Sequence, residues 1–175
     1  MKSNNFKNRL TALALCFTLL PTAALAEDDA WNGSTAAAFA GGTGTAEDPY
    51  QIANGAELAY LASSVNSGET YEDKYFVLTA NINLNGLPWT PIANSFSDAL
   101  FGGTDYRIFA GNFDGKGYTI SNVSIGSETT PFESDVFGLF GATGGKISNL
   151  NLYTVSIHGV AKIASGYVVG IAGGL

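Results

Sequence analysis

Asp114 is the residue whose setting most invites chemistry. It stands in Phe113-Asp114-Gly115, and an acid there suggests general acid or base work. Asp-Gly is also what a tight turn selects for backbone reasons, because glycine supplies the left-handed conformation and aspartate bonds its own backbone. The chain's only histidine, His158, precedes Gly159 in a strand-like segment, with no second His or Cys to complete a zinc set. A Ser-His-Asp triad finds no Gly-x-Ser-x-Gly elbow to hold its nucleophile. Gly41-Gly42-Thr43-Gly44-Thr45 resembles a phosphate cradle but lacks the Gly-Lys-Ser/Thr ending, so it reads as a flexible loop. Asp105 and Asp135 match neither an EF-hand nor a glycine-rich calcium repeat. Tyr106, Phe109, Tyr118 and Tyr153 are candidates for a sugar-stacking face, with Phe109 core by default and Tyr118 outward. The expectation is therefore catalytic residues none, metal ligands none and cofactors none.

Composition fixes the setting in which these residues work. Lys2, Lys7 and Arg9 open the chain, Leu10 to Leu20 is apolar, and Ala24-Leu25-Ala26 is a small-x-small cleavage signal. Residues 1–26 thus read as a secretory signal peptide, too short for a membrane span, leaving a mature chain from Glu27 with no integral span. Cys16 lies inside that signal, and its neighbour Leu15 is not the small residue that lipidation would favour. The mature chain then has no cysteine, and neither disulfides nor thiol chemistry enter. It carries 5 basic residues against 15 acidic ones, a balance that suits solubility after export and disfavours nucleic acid as a partner.

The elements follow from periodicity. Residues 27–47 form an extended lead-in with Trp31 and Phe39 as anchors. Asp48-Pro49-Tyr50 turns into a short strand at Gln51-Ile52. Asn54 to Asn66 is predicted helical, with Asn54 as N-cap, Glu57 completing a capping box, and Gly68 closing the end. Leu58, Leu61, Ala62 and Val65 form its one apolar stripe, as a cap over a stacked β core requires. Tyr75 to Leu84 alternates as one strand with Phe76, Leu78, Ala80, Ile82 and Leu84 inward. Leu87 to Gly103 reads as a loop whose apolar residues pack back on the core.

A repeat follows. Moving 27 residues along, Gly111 meets Gly138, Phe113 meets Phe140, and Ile120-Ser121-Asn122 meets Ile147-Ser148-Asn149. The same shift puts Gly141, not an acid, where Asp114 stood. Within each copy the apolar alternation slips by one at the Ser-Asn pair, which predicts a corner with Asn left-handed. Stacking the copies would place Asn122 over Asn149, Ile120 over Ile147 and Phe113 over Phe140. A third copy is expected to begin at Val169-Gly170-Ile171-Ala172-Gly173, so the array is expected to continue past Leu175.

Asp48-Pro49-Tyr50-Gln51-Ile52, Glu57-Leu58-Ala59-Tyr60-Leu61-Ala62, Phe113-Asp114-Gly115, Ile120-Ser121-Asn122 and Gly138-Leu139-Phe140-Gly141 together resemble the GLUG-motif family of bacterial surface proteins. The resemblance runs from about Ala46 to Leu175. It implies a parallel β-helix from secreted or wall-attached proteins, including adhesin-like ones and non-catalytic regions of immunoglobulin-A-specific metallopeptidases. The fold expected is therefore mainly all-β: a parallel β-helix over residues 48–175 with one capping α-helix near 54–67. The function expected is a non-enzymatic, exported structural or adhesin-like module whose partners are a host glycan or a surface protein. The alternative is a non-catalytic segment of a secreted metallopeptidase or polysaccharide-degrading enzyme.

Overall fold

The computed structural model describes residues 30–95, 107–134 and 136–160. The expected signal peptide, Cys16, Tyr106, Asp105, Asp135 and the third repeat copy lie outside them. The described chain is mainly strand with one helix. In order these are β1 (Tyr50–Ile52), α1 (Gly55–Asn66), β2 (Tyr75–Leu78), β3 (Ile82–Asn83), β4 (Asn112–Asp114) and β5 (Thr119–Ile125). Then come β6 (Phe132–Glu133), β7 (Lys146–Ser148), β8 (Asn151–Ile157) and β9 (Gly159–Val160).

The helix forms as its sequence directs. Asn54 is extended, and its side-chain oxygen accepts from the Glu57 amide at 3.0 Å. Glu57 reaches back one residue further than a capping box would, to the Ala53 amide at 2.6 Å. At the other end Gly68 takes φ +108, its N–H bonds the Val65 carbonyl, and the Glu69 N–H bonds that of Ser64. This is a Schellman closure, which satisfies carbonyls the helix would otherwise orphan. Leu58, Leu61, Ala62 and Val65 are buried in the core cluster. No helix among the described residues is long and apolar enough to cross a membrane.

The strands pair in parallel into three small sheets, ordered β1-β2-β4-β7, β3-β5-β8 and β6-β9. In the first, the inward row Phe76, Phe113, Ile147 passes from strand to strand in register. In the second, Ile82, Ile120 and Leu152 do the same. The edge of β3 is met by the lead-in, where the Trp31 N–H donates to the Asn83 carbonyl at 2.8 Å. Phe76, Phe109, Phe113 and Phe140 fill the interior, with ring centroids 5.2–5.6 Å apart along the chain of contacts. Each such side chain contributes about 1.5–3 kcal/mol once covered.

Four expectations need correction. The predicted strand Tyr75–Leu84 is two strands in two different sheets, broken at Thr79–Asn81. The alternation ran unbroken because the corner preserves its phase: Phe76, Leu78, Ile82 and Leu84 are all buried, while Ala80 is only half-buried.

Secondly, the register differs from the expected stacking. Ile120 lies beside Leu152, not Ile147, and Phe113 pairs with Ile147, not Phe140, although the Phe113 and Phe140 rings do touch. Thirdly, Asn122 and Asn149 both take the left-handed conformation, at φ 56 and 51, yet they do not stack on each other. Asn122 sits inside β5 and donates to Asn83 Oδ1 at 2.9 Å. Asn149 sits between β7 and β8 and donates to Asp114 Oδ1 at 3.0 Å. The same tripeptide marks two different corners.

Finally, the 41–45 segment is a pinned turn rather than a flexible loop. The Thr43 and Gly44 amides both bond the Asp48 carbonyl, and a Cβ at Gly42 would collide with that of Pro49. The anchors hold as expected. Trp31 is buried, and the Phe39 ring packs against Tyr50, Tyr60, Tyr71 and Phe76. Trp89 and Ile92 from the following loop are buried as well.

Candidate functional site

Parallel pairing of β2, β4 and β7 turns residues far apart in sequence into rows. Tyr75, Asn112 and Lys146 form one outward row; Val77, Asp114 and Ser148 form the next. Neighbours in a row are about 4.8 Å apart along the sheet. The face they make holds a groove of about 230 Å³, which Pro49 and Lys116 also line. Tyr75 is 38% exposed. The side-chain amide of Asn112 and the Lys146 ammonium make no hydrogen bond or ion pair within the described structure.

Asp114 sits in this groove with its carboxylate fully engaged. Oδ1 accepts from the Lys116 amide at 2.9 Å and from Asn149 Nδ2 at 3.0 Å. Oδ2 pairs with Lys116 Nζ at 3.0 Å. Partial desolvation pulls its pKa up, but the hydrogen bonds from Asn149 and Lys116 and the lysine's charge outweigh it, and the net position is below the ordinary 3.8. A carboxylate held ionised in this way is a poor general acid. No other acid lines the groove, whereas glycoside hydrolysis ordinarily uses a pair. What the arrangement offers a ligand is an aromatic edge, a free side-chain amide and an uncompensated cation facing solvent together.

The remaining candidates are dispersed. His158 lies between β8 and β9, its amide donating to the Ile125 carbonyl and its carbonyl accepting from the Phe132 amide, both at 2.8 Å. Among the described residues no three His, Cys, Asp or Glu gather as a metal site. The aromatic face is not assembled. Phe109 is wholly interior, Tyr118 is half-buried against the core, and Tyr153 is 70% exposed on β8. Tyr75 and Lys146 escaped the sequence reading. Tyr75 was visible as the outward member of its alternation, but only the register brings Lys146 onto its face.

A second, larger groove of about 390 Å³ runs between α1 and the 88–94 segment. Its Trp31, Asn66 and Trp89 side chains are hydrogen-bonded within the protein. Trp31 Nε1 donates to the Ser34 carbonyl at 2.7 Å and Trp89 Nε1 to that of Leu139 at 3.5 Å. Asn66 donates to the Pro91 carbonyl and accepts from the Asn94 amide. Asn66 thus ties the helix to the loop, and the groove carries no charged side chain, so the sheet face with its lysines and Asp114 is the candidate site.

No family model matches the chain, and no solved structure matches it. Two curated proteins are similar. One is halomucin of Haloquadratum walsbyi, 31% identical over 154 residues, which are 82% of this chain and 2% of halomucin. The other is a protein of Evansella cellulosilytica named as a Gly-rich membrane protein, 32% identical over 117 residues, which are 65% of this chain and 12% of that protein. The chain thus spans only a small part of the length of either.

Proposed function

We propose that the protein is an exported, non-enzymatic module of a cell-surface protein, a parallel β-helix segment of the GLUG type serving as stalk or adhesive surface. The observation that carries this reading is the continuity of rows. Phe76-Phe113-Ile147 and Ile82-Ile120-Leu152 each run through three parallel strands, so one pass of chain buries the next. The similarity to halomucin and to a protein named for a membrane supports a surface address. An acidic exterior and a signal-like start fit the same address. The engaged state of Asp114 and the want of a second acid in its groove favour binding over bond cleavage.

The test is fractionation of cells producing the chain, with protease shaving of intact cells and N-terminal sequencing. The product is expected in the envelope or the medium, beginning near Glu27. A protease-protected cytoplasmic chain that retains Met1 would overturn the reading.

A further inference from the structure

We propose that the groove across β2, β4 and β7 is a binding site for an acidic sugar ring, one carrying a carboxylate among its hydroxyls. The inference rests on the surface-module reading and names the ligand class of that module's face. Charge comes first. The mature chain has 5 basic residues, and Lys116 and Lys146 both line this one groove. Lys116 is already matched by Asp114 at 3.0 Å, whereas Lys146 is exposed and unpaired. It is an uncompensated cation in an acidic protein. Screening over about 8 Å at physiological salt lets that local charge govern a small ligand, while the overall negative charge still repels a long polyanion.

Shape and polarity narrow the class further. A volume of about 230 Å³ is below the ~300 Å³ at which pockets for drug-sized ligands begin, which suits a sugar ring. Asn112, between Tyr75 and Lys146, offers an unused amide that can both donate and accept, which suits hydroxyls. Tyr75, 38% exposed at the end of the row, presents an aromatic surface to the apolar side of a ring and a hydroxyl to its rim. A carboxylate at Lys146, hydroxyls at Asn112 and a ring against Tyr75 use all three groups in the order the register sets them. An acidic peptide such as triglutamate would use the lysine, and its backbone could bond the amide, but it brings no ring face to Tyr75.

The probe is digalacturonate, with its dimethyl ester as the uncharged control and triglutamate as the peptide rival, titrated calorimetrically against the purified protein. Digalacturonate is expected to bind and the ester to bind at least about fivefold more weakly, the difference shrinking as salt rises from 50 to 500 mM. Lys146→Gln is expected to cost at least about fivefold, and Tyr75→Ala about threefold. Both positions are solvent-exposed, and an unchanged melting temperature establishes that the variants are folded. Equal binding of acid and ester, or of wild type and Lys146→Gln, would overturn the proposal. So would no binding of digalacturonate, or triglutamate binding with the same dependence on Lys146. None of these outcomes moves the chain from the envelope to the cytoplasm, so failure here and failure of the surface reading remain distinguishable.

Discussion

Val123-Ser124-Ile125 of β5 and Val155-Ser156-Ile157 of β8 are the same three residues, paired side by side in parallel register. Their fates differ. Val123 and Ile125 are 1% and 0% exposed; Val155 and Ile157 are 40% and 39%. Register puts both sets on the same side of the sheet, so orientation is not the cause. Val123–Ile125 has β8 on one side and the 86–89 segment on the other, where Pro88 bridges Ser124 and the Trp89 N–H donates to the Ser124 carbonyl, whereas β8 has β5 on one side and no strand among the described residues on the other. Burial here belongs to the stack and not to the residue: an inward isoleucine is worth its full transfer free energy only when chain is laid against it on each side.

That comparison is broken most directly by truncating the two isoleucines. Ile125→Ala should cost about 2–5 kcal/mol, because the cavity it leaves is enclosed by β8 on one side and the Pro88–Trp89 segment on the other. Ile157→Ala should cost less than about 1.5 kcal/mol, since solvent already reaches that side chain. Urea unfolding midpoints measure both. Equal losses would mean that β8 is covered in solution and that the contrast in exposure does not hold there.

The strands also share a bend. Asn122 in β5 and Thr154 in β8 occupy matching places and both take positive φ, 56° and 55°. Asparagine tolerates this conformation; a β-branched threonine is strained in it by about 1–2 kcal/mol. Asn122→Leu should therefore cost about 2–3 kcal/mol, combining that strain with loss of the bond to Asn83. Ser124→Ala, two residues on, should stay within about 0.5 kcal/mol. Equal melting temperatures for those two variants would remove the corner from the account. In the reverse direction, Thr154→Asn should stabilise by about 1 kcal/mol, and a lowered melting temperature would show that Thr154 is held by something other than the bend.

Much of this was legible before any coordinates. The helix from Asn54, its glycine closure at Gly68, the buried set in Tyr75–Leu84 and the left-handed corners at Asn122 and Asn149 all follow from local rules of capping, alternation and turn chemistry. Register was not, because the 27-residue match rested on Ile-Ser-Asn, which encodes a corner and is reused at any corner of the same geometry. The strands pair instead at an offset of 32 residues, Val123 to Val155, where Val-Ser-Ile repeats. β4 meets β7 at 34, Phe113 to Ile147, so no one period serves both sheets. The candidate groove inherits that difficulty. Asp114 announced itself as a turn residue, and it is one; Tyr75, Asn112 and Lys146 are ordinary side chains until pairing aligns them.

The smallest effect separates the two corners themselves. At the β5 corner Asn122 bonds another neutral amide, but at the corner after β7 Asn149 bonds the ionised Asp114. Only the second should respond to acid. Asp114 has its folded pKa below the ordinary 3.8, so its contribution is present above that value and is lost as pH falls through the folded pKa. The pair is solvent-exposed, and the difference between wild type and Asp114→Asn at pH 7 should be no more than about 1 kcal/mol. That difference should shrink as pH falls below the ordinary carboxylate range, since a protonated Asp114 resembles the amide that replaces it. The gap between wild type and Asn122→Gly should stay level over the same interval, because no titrating group touches that bond. Denaturant unfolding at pH 7 and at the lowest pH where the fold survives tests both at once. A gap for Asp114→Asn that ignores pH would mean the carboxylate is not what holds Asn149, and the two corners would then differ in position but not in kind.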